Sequence, residues 1–163
     1  MLPTPLKGNR EYKMRSLTKG YMQSFETAVS TATLWRALVE PEALALWYGD
    51  QAVVEPRVGG RYFAVSRLFG RREAFIERFE PGARLQLLFE PSPEWPPLTE
   101  GALVEDLFID EHKGQRMLRV IGSGIPSGAD WAPVLKHLKT GWALAFGLLQ
   151  TRLRNGEIKD PAA

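Results

Sequence analysis

The sequence contains no cysteine and only two histidines. The first absence excludes disulfide frameworks, thiolate metal sites and cysteine nucleophiles. The second leaves no zinc cluster, since His112 sits in the turn Asp110-Glu111-His112-Lys113-Gly114 and His137 lies far along the chain. No metal or cofactor is expected. Long hydrophobic runs are also missing. The longest, Trp142 to Leu149, falls well short of the roughly 18 residues a membrane span needs. The opening segment, Met1-Leu2-Pro3-Thr4-Pro5-Leu6-Lys7, has no apolar signal-peptide core. Neither sign of charge dominates, with 21 Lys+Arg against 19 Asp+Glu, and no basic stripe is interleaved with aromatics. Nucleic acid is therefore not an expected partner. The stretch Gly122-Ser123-Gly124-Ile125-Pro126 has neither the G-x-S-x-G nor the G-x-G-x-x-G spacing, and Pro126 removes an amide donor. No internal repeat is present. What remains is a soluble, cytoplasmic protein of one domain, since 163 residues suffice to bury roughly 70% of the unfolded surface.

Residues 1–19 carry Lys7, Arg10, Lys13, Arg15 and Lys19 against Glu11 alone. They read as a basic, mobile extension, a solvated tail or an arm for an acidic partner. The domain proper is expected over residues 20–156, with a tail at 157–163. From Gly20 the residues Tyr21, Gln23, Phe25 and Thr27 alternate with Met22, Ser24, Glu26 and Ala28, the period of a strand. Ser30 offers an N-cap to a helix over Thr31–Leu38, and Pro41 ends it and starts a second helix, Glu42 to Trp47. Six more strands are expected at Ala52–Glu55, Arg61–Leu68, Glu73–Glu80, Arg84–Phe89, Leu103–Asp110 and Arg116–Gly122. Short glycine- and proline-bearing turns between most of them favour antiparallel neighbours. From Ala132 to Arg154, Leu135, Leu138, Trp142, Ala145, Leu149 and Leu153 recur at spacings of three and four, with Phe146 at the stripe's edge and Asn155-Gly156 as a stop. The class is α+β, one long amphipathic helix that must bury its stripe against a sheet.

In combination these residues resemble the START-like superfamily (SRPBCC, helix-grip fold), and within it the chaperone-ATPase-activator-homologue (AHSA-type) branch. Ser30-Thr31-Ala32-Thr33-Leu34-Trp35-Arg36-Ala37-Leu38 resembles the branch's first helix, and Pro41-Glu42-Ala43-Leu44-Ala45-Leu46-Trp47-Tyr48-Gly49 its second. Val58-Gly59-Gly60-Arg61-Tyr62 is similar to its V-G-G-x-[FWY], and Pro81 with Arg84-Leu85 to its P-x-x-R-L. Ser123-Gly124 and Gly141-Trp142 are similar to the end of its seventh strand and to its last helix. The resemblance runs from Gly20 to Leu153. It implies a curved antiparallel sheet of about seven strands around the C-terminal helix, with two short helices after the first strand. It also implies a cavity between helix and sheet for lipids, sterols, polyketides or other hydrophobic molecules. Some members close rings, dehydrate or hydrolyse, and others act as co-chaperones.

If Tyr62 points inward, as the family's equivalent aromatic does, alternation sends Ala64 and Ser66 inward as well. The same reasoning selects Leu85, Leu87 and Phe89, then Leu118 and Val120, facing Leu138, Trp142, Phe146 and Leu149. Small inward residues, Ala64, Ser66, Ala74 and Gly122, leave space beneath the helix, unless Trp142, Phe89, Phe75 and Phe79 fill it. The strand Leu103–Ile109 turns a carboxylate inward whichever face is buried. The longer apolar set selects Glu105, with Leu107, over Asp106. An unpaired buried carboxylate would be an acid–base group or a ligand anchor, and a paired one would hold an arginine. Glu105 is the single catalytic candidate, and no partner is nominated for it. Trp47 and Tyr48, at the end of the second helix, are expected to line the pocket mouth, with Trp95 and Trp131 as further aromatic gates. Three readings follow: a carrier of a hydrophobic or lipid-like small molecule, a co-chaperone-like protein-interaction module, and an enzyme of the cyclase or hydrolase type.

Overall fold

The computed structural model describes residues 18–98 and 101–160; the basic extension therefore lies outside the described residues apart from Thr18 and Lys19. Seven strands form one sheet: β1 (Thr18–Thr27), β2 (Asp50–Val54), β3 (Arg61–Ser66), β4 (Gly70–Glu80), β5 (Arg84–Phe89), β6 (Leu103–His112) and β7 (Gln115–Pro126). Their order is β1-β7-β6-β5-β4-β3-β2, and every neighbouring pair is antiparallel. Strands β2 to β7 form a meander joined by turns, and β1 closes onto β7. Because β1 and β2 lie at opposite edges, the connection between them must cross the sheet. It does so through α1 (Thr31–Val39) and α2 (Pro41–Leu44). The long helix α3 (Ala132–Arg154), preceded by a 3₁₀ turn at Ala129–Trp131, packs its stripe on the inner face of the sheet. This is the helix-grip fold.

Local chemistry sets the boundaries. The Ser30 side chain accepts from the Thr33 backbone N–H at 3.0 Å, satisfying one of the unpaired donors of α1. Glu40 precedes proline and is extended, which stops the helix there. Helix α2 is shorter than the sequence suggests, since regular helix ends at Leu44 and residues 45–48 continue as turns. Strands β4 and β7 are longer than expected. Strand β4 begins at Gly70, whose φ of +80° lets the chain reverse directly after Ser66–Phe69. That places Arg72 inside the strand.

The buried faces follow the period of two in β3, β5 and β6, and the 3.6 period in α3. The chain beyond α3 is also fastened. Ile158 is buried, Arg36 donates to the Lys159 carbonyl at 2.9 Å, and Ser30 Oγ donates to Asp160 Oδ1 at 3.0 Å. Ser30 thus caps α1 and holds the C-terminal segment together. Ser30→Ala should lower unfolding free energy by about 1 kcal/mol, the ordinary worth of such a cap. Urea denaturation reads this, and a loss under a few tenths would show that neither bond matters.

Candidate functional site

Between α3 and the sheet, where an apolar hollow is expected, stands a buried ion pair. Arg72 on β4 and Glu105 on β6 form a two-pronged pair: Nη1 to Oε1 at 3.1 Å and Nη2 to Oε2 at 2.9 Å, with both side chains almost fully buried. Three aromatic polar groups converge on it. Trp142 Nε1 of α3 donates to Glu105 Oε2 at 2.8 Å, and the Tyr21 hydroxyl of β1 donates to the same oxygen. The Tyr48 hydroxyl accepts from Arg72 Nη1 at 3.3 Å. The arginine lies over the rings of Phe89 (4.1 Å) and Phe69 (4.5 Å), so its faces are covered by π-density and its edge by the carboxylate.

This arrangement decides what Glu105 can do. An ionised carboxylate offers about four acceptor positions, and Glu105 receives two bonds from Arg72, one from Trp142 and one from Tyr21. Three of these bonds fall on Oε2 and one on Oε1, so the carboxylate is held as a hydrogen-bonded anchor for Arg72, Trp142 and Tyr21. Asp106 points outward and is held by Arg84 at 2.9 Å and by Gln86.

Burial and the pair together set the protonation of the surroundings. Burial pulls the Arg72 guanidinium down, and Glu105, with Tyr48 and Tyr21, more than offsets this, so it stays charged above its ordinary range. Burial raises the phenols of Tyr21, Tyr48 and Tyr62, and the charge of Glu105 adds to each rise. In the unfolded chain these phenols would lose protons near pH 10. The folded chain still holds them there, so their contribution to stability is complete below about pH 10 and falls as pH rises. Phenolate absorbance of these three tyrosines should therefore grow only together with unfolding. Smooth ionisation of a native chain at pH 10 would contradict their burial.

All fifteen residues expected to line a pocket are buried, but they do so as packing. Trp142 touches Tyr48, Phe69, Phe146 and Trp47, with ring centroids 5.1–6.3 Å apart. Tyr62 donates to the Leu38 carbonyl at 2.6 Å, and Trp47 to that of Ala37 at 3.0 Å, so both are tied into the core, while Trp47 and Tyr48, with Ser66, also border an open groove of about 320 Å³ beside Leu148 and Arg152. Ser66 Oγ accepts from the Leu68 and Phe69 amides and shapes the β3–β4 turn. The small residues do not leave a hollow. A Cβ on Gly122 would lie 2.0 Å from Tyr21 Cζ, deep in the van der Waals volume of the ring, and one on Gly141 would lie 2.8 Å from Phe69 Cδ1. Of the expected fillers, Phe75 faces outward at 42% exposure and Phe79 packs edge-on against Trp35 on the α1 side.

What remains inside is a slit of about 10 Å³, bordered by Tyr21, Arg72, Phe89, Trp95, Leu103, Val104, Glu105, Ser123, Ile125 and Leu138. It is at the lower limit for a single water. The slit joins the ion pair to the loop at 91–98, whose Trp95 packs edge-on against Trp131 at 6.1 Å. Tyr21, Arg72 and Phe69 are the site residues that the sequence analysis did not single out. Parity would have found Arg72, since it stands two positions before the inward Ala74.

The family model for Activator of Hsp90 ATPase homolog 1-like protein matches residues 28–154. No protein of curated function matches the sequence significantly. Among solved structures, protein MLL2253 from Mesorhizobium loti is similar over 84% of this chain and 98% of its own, with a TM-score of 0.72 and 20% identity. DynU16, from the dynemicin biosynthetic locus, has a TM-score of 0.67 and 18% identity over 84% of this chain, which spans 48% of that larger one. The Aha1 dimer from Colwellia psychrerythraea has a TM-score of 0.66 and 12% identity over 88% of this chain and 98% of its own. Identities this low establish the fold alone. By the match over residues 28–154, this chain belongs to the Activator of Hsp90 ATPase homolog 1-like family, on the START-like, helix-grip fold.

Proposed function

We propose that the protein binds a small molecule with an apolar body and one polar end, in a closed site in the grip between α3 and the sheet that opens to admit it. The observation that carries this reading is the buried Arg72–Glu105 pair at the inner end of the slit beneath Trp95. A buried ion pair is weak as a stabilising device, because desolvation offsets most of its attraction. A buried charged pair at the end of a cleft is instead a common mark of a binding site. The expected hollow for a bulky lipid is replaced by a smaller site that must open. Among the described residues, few backbone hydrogen bonds hold the covering loop: Glu90 N–H to the Glu73 carbonyl and Trp95 N–H to the Ser92 carbonyl, both at 3.0 Å. Segments held so sparsely open at low cost.

Native mass spectrometry after mild purification, with thermal shift against a panel of small aromatic and aliphatic carboxylates, alcohols and amines, tests this. A bound mass or a stabilising ligand is expected, with faster exchange in Trp95→Ala. If neither the wild type nor Trp95→Ala carries or answers to any member of the panel, the reading is lost.

One observation favours a second reading, binding to an acidic protein. Helix α3 carries Lys136, Lys139, Arg152 and Arg154 and no Asp or Glu, and it exposes Leu144 (56%) and Leu148 (38%). Such binding should weaken with added salt and with Leu144→Glu. Indifference to both would remove it.

A further inference from the structure

An antiparallel sheet with one face on the core ordinarily turns polar residues to water on the other. The outward face here breaks that rule along one line. Phe75 of β4 stands opposite Leu88 of β5, and Leu88 opposite Val104 of β6. Ile121 of β7 lies diagonal to Val104, and Met22 of β1 stands opposite Ile121. Val58, on the loop before β3, borders the same depression as Phe75 and Leu88. The result is an apolar band across five strands. Its ends and its aromatic are open to solvent: Val58 64%, Met22 60% and Phe75 42% exposed.

The rest of the face shows how this sheet covers an outward aromatic. Phe63 lies under Arg61 and Arg71 at 4.6 and 4.8 Å, and Phe108 under Arg84 and Arg119 at 4.8 and 5.1 Å. Among the described residues, no cation covers Phe75. An uncapped aromatic within a continuous band is the kind of patch that marks an interface.

We propose that this band is the contact between two copies of the chain, related by a two-fold axis. A stripe is brought face to face with its own copy by a two-fold axis lying along it, so each copy supplies the apolar cover the other lacks. Charge selects the same occupant. The margins carry Arg61–Glu73 and Arg84–Asp106, each at 2.9 Å, and Arg78–Glu80 at 3.9 Å, one charge of each sign per pair. Two such margins meet without net repulsion, and a strongly charged partner finds nothing to complement. The outward face of α3 carries four cations and no carboxylate of its own, only Arg152 being paired, with Glu157 beyond the helix, so it would repel its own copy. The sheet face is thus the self-complementary one. This inference does not depend on what the interior binds.

Sedimentation equilibrium over a concentration series tests it on the full chain. The wild type should show a monomer–dimer equilibrium. Phe75→Arg should raise the dissociation constant at least about thirtyfold, the effect of losing a central aromatic anchor. Val58→Glu, on an exposed loop where folding is not at stake, should shift it in the same direction, and Leu144→Glu on α3 should leave it unchanged. A monomer at every concentration, leaving the band to residues 1–17 of the same chain or to another protein, overturns the proposal. So does a dimer that both sheet variants leave intact.

Discussion

Arg72→Met should destabilise the protein by about 3–5 kcal/mol, because it leaves the Glu105 carboxylate buried among Trp142, Tyr21 and apolar side chains without its cation. In a domain of this size that corresponds to a fall in Tm of roughly 10–15 °C. Glu105→Leu should cost about as much, since it strands the guanidinium between Phe69 and Phe89 and removes the acceptor used by Tyr21 and Trp142. The informative variant is the double one. With Arg72→Met and Glu105→Leu together, no unpaired charge remains. The loss should then be smaller than either single loss, or should vanish, as when a buried pair gives way to apolar groups of similar volume.

The cycle also bears on the proposed function. Suppose the double variant folds as stably as the wild type and binds no member of the small-molecule panel. The pair is then kept for binding, at no gain in stability. Suppose instead that the double variant stays as destabilised as the single ones. The pair then acts with Tyr21, Tyr48 and Trp142 as one structural unit, and the case for a ligand site loses its main support. Denaturant unfolding at neutral pH measures all four corners of the cycle, far below the range in which the buried phenols titrate.

Much of this architecture was legible in the residues. The stripe Leu138–Trp142–Ala145–Leu149, the N-cap at Ser30, the break at Pro41 and the alternation of Leu85, Leu87 and Phe89 follow from local periodicity and capping, and the structure follows them. The parity argument that turned Glu105 inward also holds, because a strand without a bulge cannot place neighbouring residues on one face. What was not legible is the filling of the interior. Small inward residues on one strand say nothing about which ring, from which distant element, arrives beside them. Ala64, Ser66, Ala74 and Gly122 read as vacancies in one dimension, whereas in three dimensions Gly122 is the hole into which Tyr21 fits, as Gly141 is for Phe69. Arg72 was missed for a more local reason. Placing the start of β4 at Glu73 left its predecessor in the turn, although one more alternation back from Ala74 points it at Glu105. Strand ends depend on the turn that precedes them, and here the turn is set by Ser66 accepting two amides and by the left-handed Gly70. Neither signal lies within the strand's own pattern.

The knob-and-hole pairing of Tyr21 with Gly122 carries the other large prediction. The two residues are opposite each other on β1 and β7, and the ring of Tyr21 crosses over the glycine to bring its hydroxyl to Glu105. A methyl group at position 122 has no free space, because it would lie 2.0 Å from Tyr21 Cζ, and the ring has little room to withdraw since the neighbouring interior holds only about 10 Å³ of void. Overpacking of an ordinary core position costs about 1–3 kcal/mol. Here relief requires expelling the ring, so Gly122→Ala should approach the cost of deleting it, about 3–5 kcal/mol. Tyr21→Ala removes both the knob and one donor to Glu105 and should cost a similar amount. Since the second substitution makes room for the first, the double variant should be barely worse than Tyr21→Ala alone, a coupling of several kcal/mol that arises from side-chain sterics. Additive losses would mean that the tyrosine ring does not occupy the glycine's space. The route by which β1 reaches the buried carboxylate, and with it the closed state of the site, would then have to be drawn differently.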